Sequence, residues 1–119
     1  MLPLAGCAPS INLSDRVDYL VQVRDAEERA VSEASVQAEF RNQFAKVEGR
    51  TDREGIFALD QDVSPWTTTS ARGVLPWLRV MVRKVGYEPL VVDLDSSQFV
   101  HHGMRLRRVE AVTLRRRDP

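Results

Sequence analysis

Cysteine occurs once, at position 7, and histidine only at 101 and 102, so neither a disulfide framework nor a ligand-spaced metal cage is written into the chain. Net charge is absent as well, 17 basic residues balancing 17 acidic ones, which argues against a dedicated nucleic-acid binder with its basic domain. Nothing after residue 10 approaches the apolar length that spans a bilayer. No window repeats its apolar residues every 3.6 positions, so helices are not the building blocks. Gly-rich phosphate loops and the Gly-x-Ser-x-Gly elbow are missing too. What remains is an ordinary globular composition, 43% hydrophobic and 29% charged over 119 residues. That length suits one domain, large enough to bury about two-thirds of its unfolded surface.

The pattern that is present has a period of two. Val17, Tyr19, Val21 and Val23 alternate with Asp18, Gln22 and Arg24, and Ala34, Val36, Ala38 and Phe40 alternate with Ser35, Gln37, Glu39 and Arg41. Each is the signature of a half-buried strand. Ile56 to Leu59, then Leu78, Val80 and Val82, then Leu90 to Leu94, then Met104 to Leu106 with Val109 to Leu114 supply further short strands, whereas residues 42–50 show no clear pattern. Between them, Thr51-Asp52-Arg53-Glu54-Gly55 and Val85-Gly86-Tyr87-Glu88-Pro89 read as turns, with Asp bonding the backbone and Gly supplying a positive φ. Strands punctuated in this way predict an all-β fold, an antiparallel Greek-key sandwich of about seven strands. Phe57 and Tyr87 should enter its core, Tyr87 with the hydroxyl at the rim.

Three blocks, in order, carry a family resemblance. Ala30-Val31-Ser32-Glu33-Ala34-Ser35-Val36, Thr51-Asp52-Arg53-Glu54-Gly55-Ile56-Phe57 and Val85-Gly86-Tyr87 resemble the "P-V-x-G-A-x-V" strand, "T-D-x-x-G-x-F" turn and "x-G-Y" corner of carboxypeptidase regulatory-like domains, which are transthyretin/prealbumin-like sandwiches. Ala30 stands where that family has Pro, and Glu33 where it has Gly. The fold also has a branch that hydrolyses hydroxyisourate, marked by a C-terminal Tyr-Arg-Gly-Ser. This chain ends Arg116-Arg117-Asp118-Pro119 instead, so the resemblance implies no such activity.

At the other end, Leu4-Ala5-Gly6-Cys7 resembles the lipobox of bacterial lipoproteins, whose cysteine thiol accepts the lipid. Only six residues precede Cys7 and none is basic, so the working export signal is expected to begin upstream of Met1. The resemblance implies a truncated signal, lipobox and flexible tether over residues 1–14, the tether being Ala8 to Ser14, a sandwich over 15–116, and a place in the bacterial cell envelope. Ala8 follows the cysteine where Asp would mark inner-membrane retention, which points to the outer membrane, facing periplasm or surface.

For function, the expectation is a non-catalytic interaction or structural module of an envelope lipoprotein, with no cofactor, no metal and no catalytic residues. Its partners would be an envelope protein or a glycan, with the membrane reached through lipid on Cys7 and no nucleic acid. The alternative is a carbohydrate-binding module, because the long connection from Asp62 to Trp77 places Trp66 and Trp77 beside the hydroxyls of Thr67, Thr68 and Thr69. His101 and His102 read as exposed loop residues, since neighbours on a strand point apart. Charge is uneven along the chain: residues 1–62 hold 7 basic and 12 acidic side chains, residues 63–119 hold 10 and 5. Arg105, Arg107, Arg108 and Arg115 to Arg117 concentrate the excess. They read as solvated strand faces and a frayed tail, with a phosphate, lipid headgroup or acidic partner as the other reading.

Overall fold

The computed structural model describes residues 15–40, 45–63, 78–103 and 105–117. Alternating valines open the first strand, β1 (Asp15–Arg24), and put Val17, Tyr19, Val21 and Val23 on one buried face. β2 (Ser35–Phe40) does the same with Val36, Ala38 and Phe40, and β5 (Leu78–Arg83) with Leu78, Val80 and Val82. The other strands are β3 (Ala45–Arg50), β4 (Ile56–Val63), β6 (Leu90–Leu94), β7 (Val100–His102) and β8 (Arg105–Thr113), with one 3-10 turn at Ser96–Gln98. They form two four-stranded sheets, ordered β4-β1-β8-β7 and β3-β2-β5-β6. Two sheets are what this pattern demands, because an alternating strand hides its apolar half only against a second sheet. Phe57, Leu59, Leu94, Phe99, Leu106 and Leu114 complete the core between them.

The expectation of about seven strands is met closely, and its antiparallel part is corrected at one pairing. Eight strands lie among the described residues, and β1 runs parallel to β8, Val17 facing Leu106 and Val23 facing Val112, while the other pairings are antiparallel. The segments expected at 104–106 and 109–114 are one strand, β8, and the strands absent from the expectation are β7, at the two histidines, and β3, in the stretch that lacks an apolar alternation. β3 is held by its register to β2, from Ser35 opposite Arg50 to Phe40 opposite Ala45. Gly49 explains part of the missing signal. A Cβ there would sit 2.7 Å from Cε1 of Phe57, so the ring occupies the space that a side chain on β3 would otherwise fill.

The two turns form as their residues predict. Asp52 Oδ1 accepts from the amides of Glu54 (2.8 Å) and Ile56 (2.9 Å), and Gly55 adopts φ 77° with its carbonyl accepting from Val23 at 2.7 Å. Thr51, buried at the mouth of this turn, donates its hydroxyl to the Val31 carbonyl (2.7 Å) and accepts from the Ala34 amide (2.9 Å). Asp25 organises the β1–β2 loop likewise: its carboxylate accepts from the Glu27 and Arg29 amides, both at 2.9 Å, and from the Arg29 guanidinium. The Arg29 amide bond, above all, holds the Asp25 carboxyl below the usual carboxylate range.

The expected frayed tail is also corrected. Residues 115–117 dock along the corner after β5: Glu88 donates to the Arg115 carbonyl (2.8 Å), Arg117 donates to the Gly86 carbonyl (2.9 Å), and the Arg116 guanidinium lies 5.5 Å from the centre of the Tyr87 ring. Gly86, at φ 90°, makes the corner that receives them. His101 and His102 stand on strand β7 rather than in a loop, both exposed.

Candidate functional site

β2 lies between β3 and β5, and its outward side chains define rows that cross the second sheet. One row runs Lys46–Glu39–Arg79–Asp93, alternating in sign, with Arg79 Nε 2.9 Å from Asp93 Oδ1. Such opposite-charge neighbours stabilise a sheet surface. The next is Glu48–Gln37–Met81–Val91. The row at the end of the sheet breaks the rule. Arg50 and Arg83 both flank Ser35, with no carboxylate in the row.

This cationic row opens onto a basin of about 560 Å³, lined by Glu33, Ser35, Arg50, Arg83, Lys84 and Tyr87, with Arg117 and Pro89 at its margin. That volume is in the range of small-molecule sites. Four cations face it against one carboxylate. Lys84 is fixed by donating to the Ser32 carbonyl at 2.9 Å, and Arg117 is brought in by the docking of the tail on Gly86. The rim is apolar, with Val85 97% exposed beside Tyr87 and Pro89. Glu33 holds a left-handed backbone, φ 59°, which an ordinary side chain adopts at a cost.

Elsewhere several arginines are neutralised. Arg16 bonds Asp60 and Asp62, Arg24 pairs with Glu28, Arg29 with Asp25 and Glu27, and Arg105 with Asp18. Arg108 faces inward, on Glu110 (2.9 Å) and the Gln98 carbonyl (2.9 Å), and the Tyr19 hydroxyl donates to the same Glu110. Burial raises the Tyr19 phenol well above its ordinary range, with the Glu110 bond acting in the same direction. Arg50, Arg83 and Arg117, like Arg53, Arg107 and Arg115, make no side-chain ion pair or hydrogen bond among the described residues, and the first three are set apart by lining one basin.

Cys7, Trp66, Thr67, Thr68, Thr69 and Trp77, singled out in the sequence, lie outside the described residues. Of the basic clusters it marks, only Arg117 reaches the basin; Arg50, Ser35, Arg83 and Lys84 are passed over. Cross-strand register brings them together, and register is not visible along one chain.

Solved structures now place this architecture. Over 86% of the chain and 60% of the other, it resembles a 3-chlorocatechol 1,2-dioxygenase from Rhodococcus opacus 1CP, with a TM-score of 0.64 and 16% identity. The sandwich shares its fold with catechol 1,2-dioxygenases. A chlorocatechol 1,2-dioxygenase from Pseudomonas putida gives a TM-score of 0.67 at 11% identity, over 87% of this chain and 61% of that one. The dioxygenase domain of a dioxygenase carbohydrate-binding protein fusion from Streptomyces sp. SirexAA-E gives 0.62 at 10% identity, over 87% and 81%. The chain spans about three-fifths of the length of the two chlorocatechol enzymes. The PDE8 phosphodiesterase family matches residues 5–55, less than half of the chain. No curated protein matches it.

These neighbours correct the functional expectation. A non-catalytic interaction module was predicted, with no enzyme activity, and a carbohydrate-binding module through Trp66 and Trp77 as the alternative; the fold found is one that solved dioxygenases use. The likeness is one of fold. A dioxygenase also needs a centre for oxygen, and among the described residues no three His, Cys, Asp or Glu side chains gather closely enough to hold a metal ion. Tyr19 is committed to Glu110 in the core and Tyr87 stacks under Arg116. The described donors do not fit such a centre.

Proposed function

We propose that this chain takes a small anionic substrate in the basin at the end of the β3-β2-β5-β6 sheet, on a sandwich of the enzyme type. The observation that carries this reading is the cationic row itself: Arg50 and Arg83 stand on either side of Ser35 with no carboxylate to neutralise them. Like charges gathered on one sheet end weaken a fold unless an anion joins them. The apolar rim of Val85, Tyr87 and Pro89 suits the organic body of such a substrate. The test is a titration followed by amide NMR, with benzoate and phenyl phosphate as probes. Saturable shifts at Ser35, Gly86 and Arg117 are expected from at least one of them, and unmoved resonances with both contradict the reading.

The setting is proposed from the sequence. Within residues 1–14, a truncated signal and lipobox ending in lipid on Cys7 and a flexible tether over 8–14, followed by a sandwich over 15–116, would hold the basin at the outer membrane, facing periplasm or surface; Leu4-Ala5-Gly6-Cys7 supports this. Mass spectrometry of the native membrane fraction should find a diacylglyceryl adduct on Cys7, and an unmodified Cys7 contradicts the anchor. The carboxypeptidase regulatory-like, Greek-key transthyretin-like assignment is likewise a proposal, supported by the Thr51–Gly55 turn and the Gly86 corner forming as that resemblance implies.

A further inference from the structure

We infer that the basin is built for a phosphate monoester, gripped by Arg50 and Arg83 with Ser35 as the floor between them. This deepens the anion-binding reading above and rests on it.

Three observations carry the choice of phosphate over carboxylate. The first is spacing. Arg50 and Arg83 are the two cross-strand partners of Ser35, and neighbouring strands lie about 4.8 Å apart, so their backbones stand about 10 Å from one another on the same outward face. That span is short enough for two guanidinium forks, reaching inward, to close on one ligand above a short hydroxyl. A planar carboxylate offers two oxygens and satisfies one fork, whereas a tetrahedral phosphate offers three and engages both. The second is charge. Four cations against Glu33 leave an excess of positive charge that a phosphate monoester, carrying about −1.5 to −2 at pH 7, offsets further than a single carboxylate does. The third is the floor itself. Ser35 is the only side chain in that row short enough to leave room above it, and its hydroxyl adds a donor at the centre. Across the rest of the sheet face the outward rows contain carboxylates, Glu48 in one and Glu39 and Asp93 in the other, so the clamp is confined to the basin. Glu33, at the basin wall, opposes a fully charged ligand that sits too deep and sets how far it enters.

The ester's organic part would lie on the Val85–Tyr87–Pro89 rim. It has two sources, a soluble phosphate ester or a lipid headgroup.

Isothermal titration on the full chain at pH 7.5 tests the inference, with phenyl phosphate and benzoate as the probes. Phenyl phosphate is expected to bind at least tenfold more tightly than benzoate. Arg50→Gln and Arg83→Gln should each cost at least tenfold with phenyl phosphate and only a few-fold with benzoate. Ser35→Ala should cost a few-fold, and Arg107→Gln, a cation on the other sheet, should cost nothing. Equal affinity for the two probes overturns the phosphate assignment and leaves anion binding standing; no binding of either removes both. Equal losses in Arg107→Gln and Arg83→Gln also overturn it, since that is general attraction of charge. Given the preference, sedimentation with phosphatidylcholine vesicles containing phosphatidic acid, but not with those containing phosphatidylglycerol at the same mole fraction, identifies a headgroup. Absence from both vesicles identifies a soluble ester.

Discussion

Single residues set the turns on which both sheets depend. Gly55 combines φ 77° with a Cβ position only 2.5 Å from the Val23 carbonyl oxygen, so Gly55→Ala meets backbone rather than a movable side chain. Its cost should exceed the ~1 kcal/mol of a left-handed alanine alone, read as a shift in the urea midpoint; a midpoint within error of the parent's contradicts that packing. Glu33 makes the opposite case. Its left-handed backbone sits where the resembled family has Gly, and Glu33→Gly should stabilise the fold by up to about 1 kcal/mol while tightening anion binding. That position was legible as an anomaly in the sequence; its place on the wall of a basin was not, because nothing local says what lies across the sheet.

Asp25 gives the acid response. Its carboxyl is depressed by the Arg29 amide bond foremost, so the folded state holds fewer protons than the unfolded one between the two pKa values, and stability falls with falling pH. The contribution is complete above the ordinary value of 3.8 and is lost as pH drops through the depressed one. Asp25→Asn should flatten the acid limb of a denaturation profile below the ordinary value of 3.8; an unchanged limb contradicts this assignment.

Among the elements, the strands with clean alternation, β1, β2 and β5, were readable because one full face is apolar and buried. β3 was not, since it spends Gly49 on making room for Phe57 and exposes Lys46, Glu48 and Arg50. The Phe57 ring belongs to the core cluster, so Phe57→Ala should cost about 3–5 kcal/mol. A loss below ~1 kcal/mol in chemical denaturation would mean that the ring does not span from β4 to β3. β8 departs from pattern for another reason. Its inward face carries Arg108 and Glu110 as well as Leu106 and Val112, a polar pair that the Tyr19 hydroxyl joins. Tyr19→Phe should cost about 1.5–3 kcal/mol, the worth of a hydrogen bond to a charged group, without moving anion affinity; a neutral substitution contradicts the buried bond. The docked tail was misread because three consecutive arginines look solvated, and only the Gly86 corner shows that their backbone has partners.

For the molecule as a whole, the two sheets differ in what their surfaces do with charge. Arg16 with Asp60 and Asp62, and Arg105 with Asp18, pair charges across the outer face of the β4-β1-β8-β7 sheet and leave Arg107 over, as Arg79 with Asp93 pairs charges on the other. The end row of the β3-β2-β5-β6 sheet is left cationic, and chain tail and corner loop converge there. Four cations converging on one basin are what would let a fold shared with catechol dioxygenases take the proposed acidic substrate. The most direct measurement is a crystal structure of the chain grown with phenyl phosphate. It should show the tetrahedral group above Ser35, bonded by both Arg50 and Arg83, with its ring on Tyr87 or Val85; a ligand bound elsewhere, or an empty basin at saturating concentration, contradicts the account.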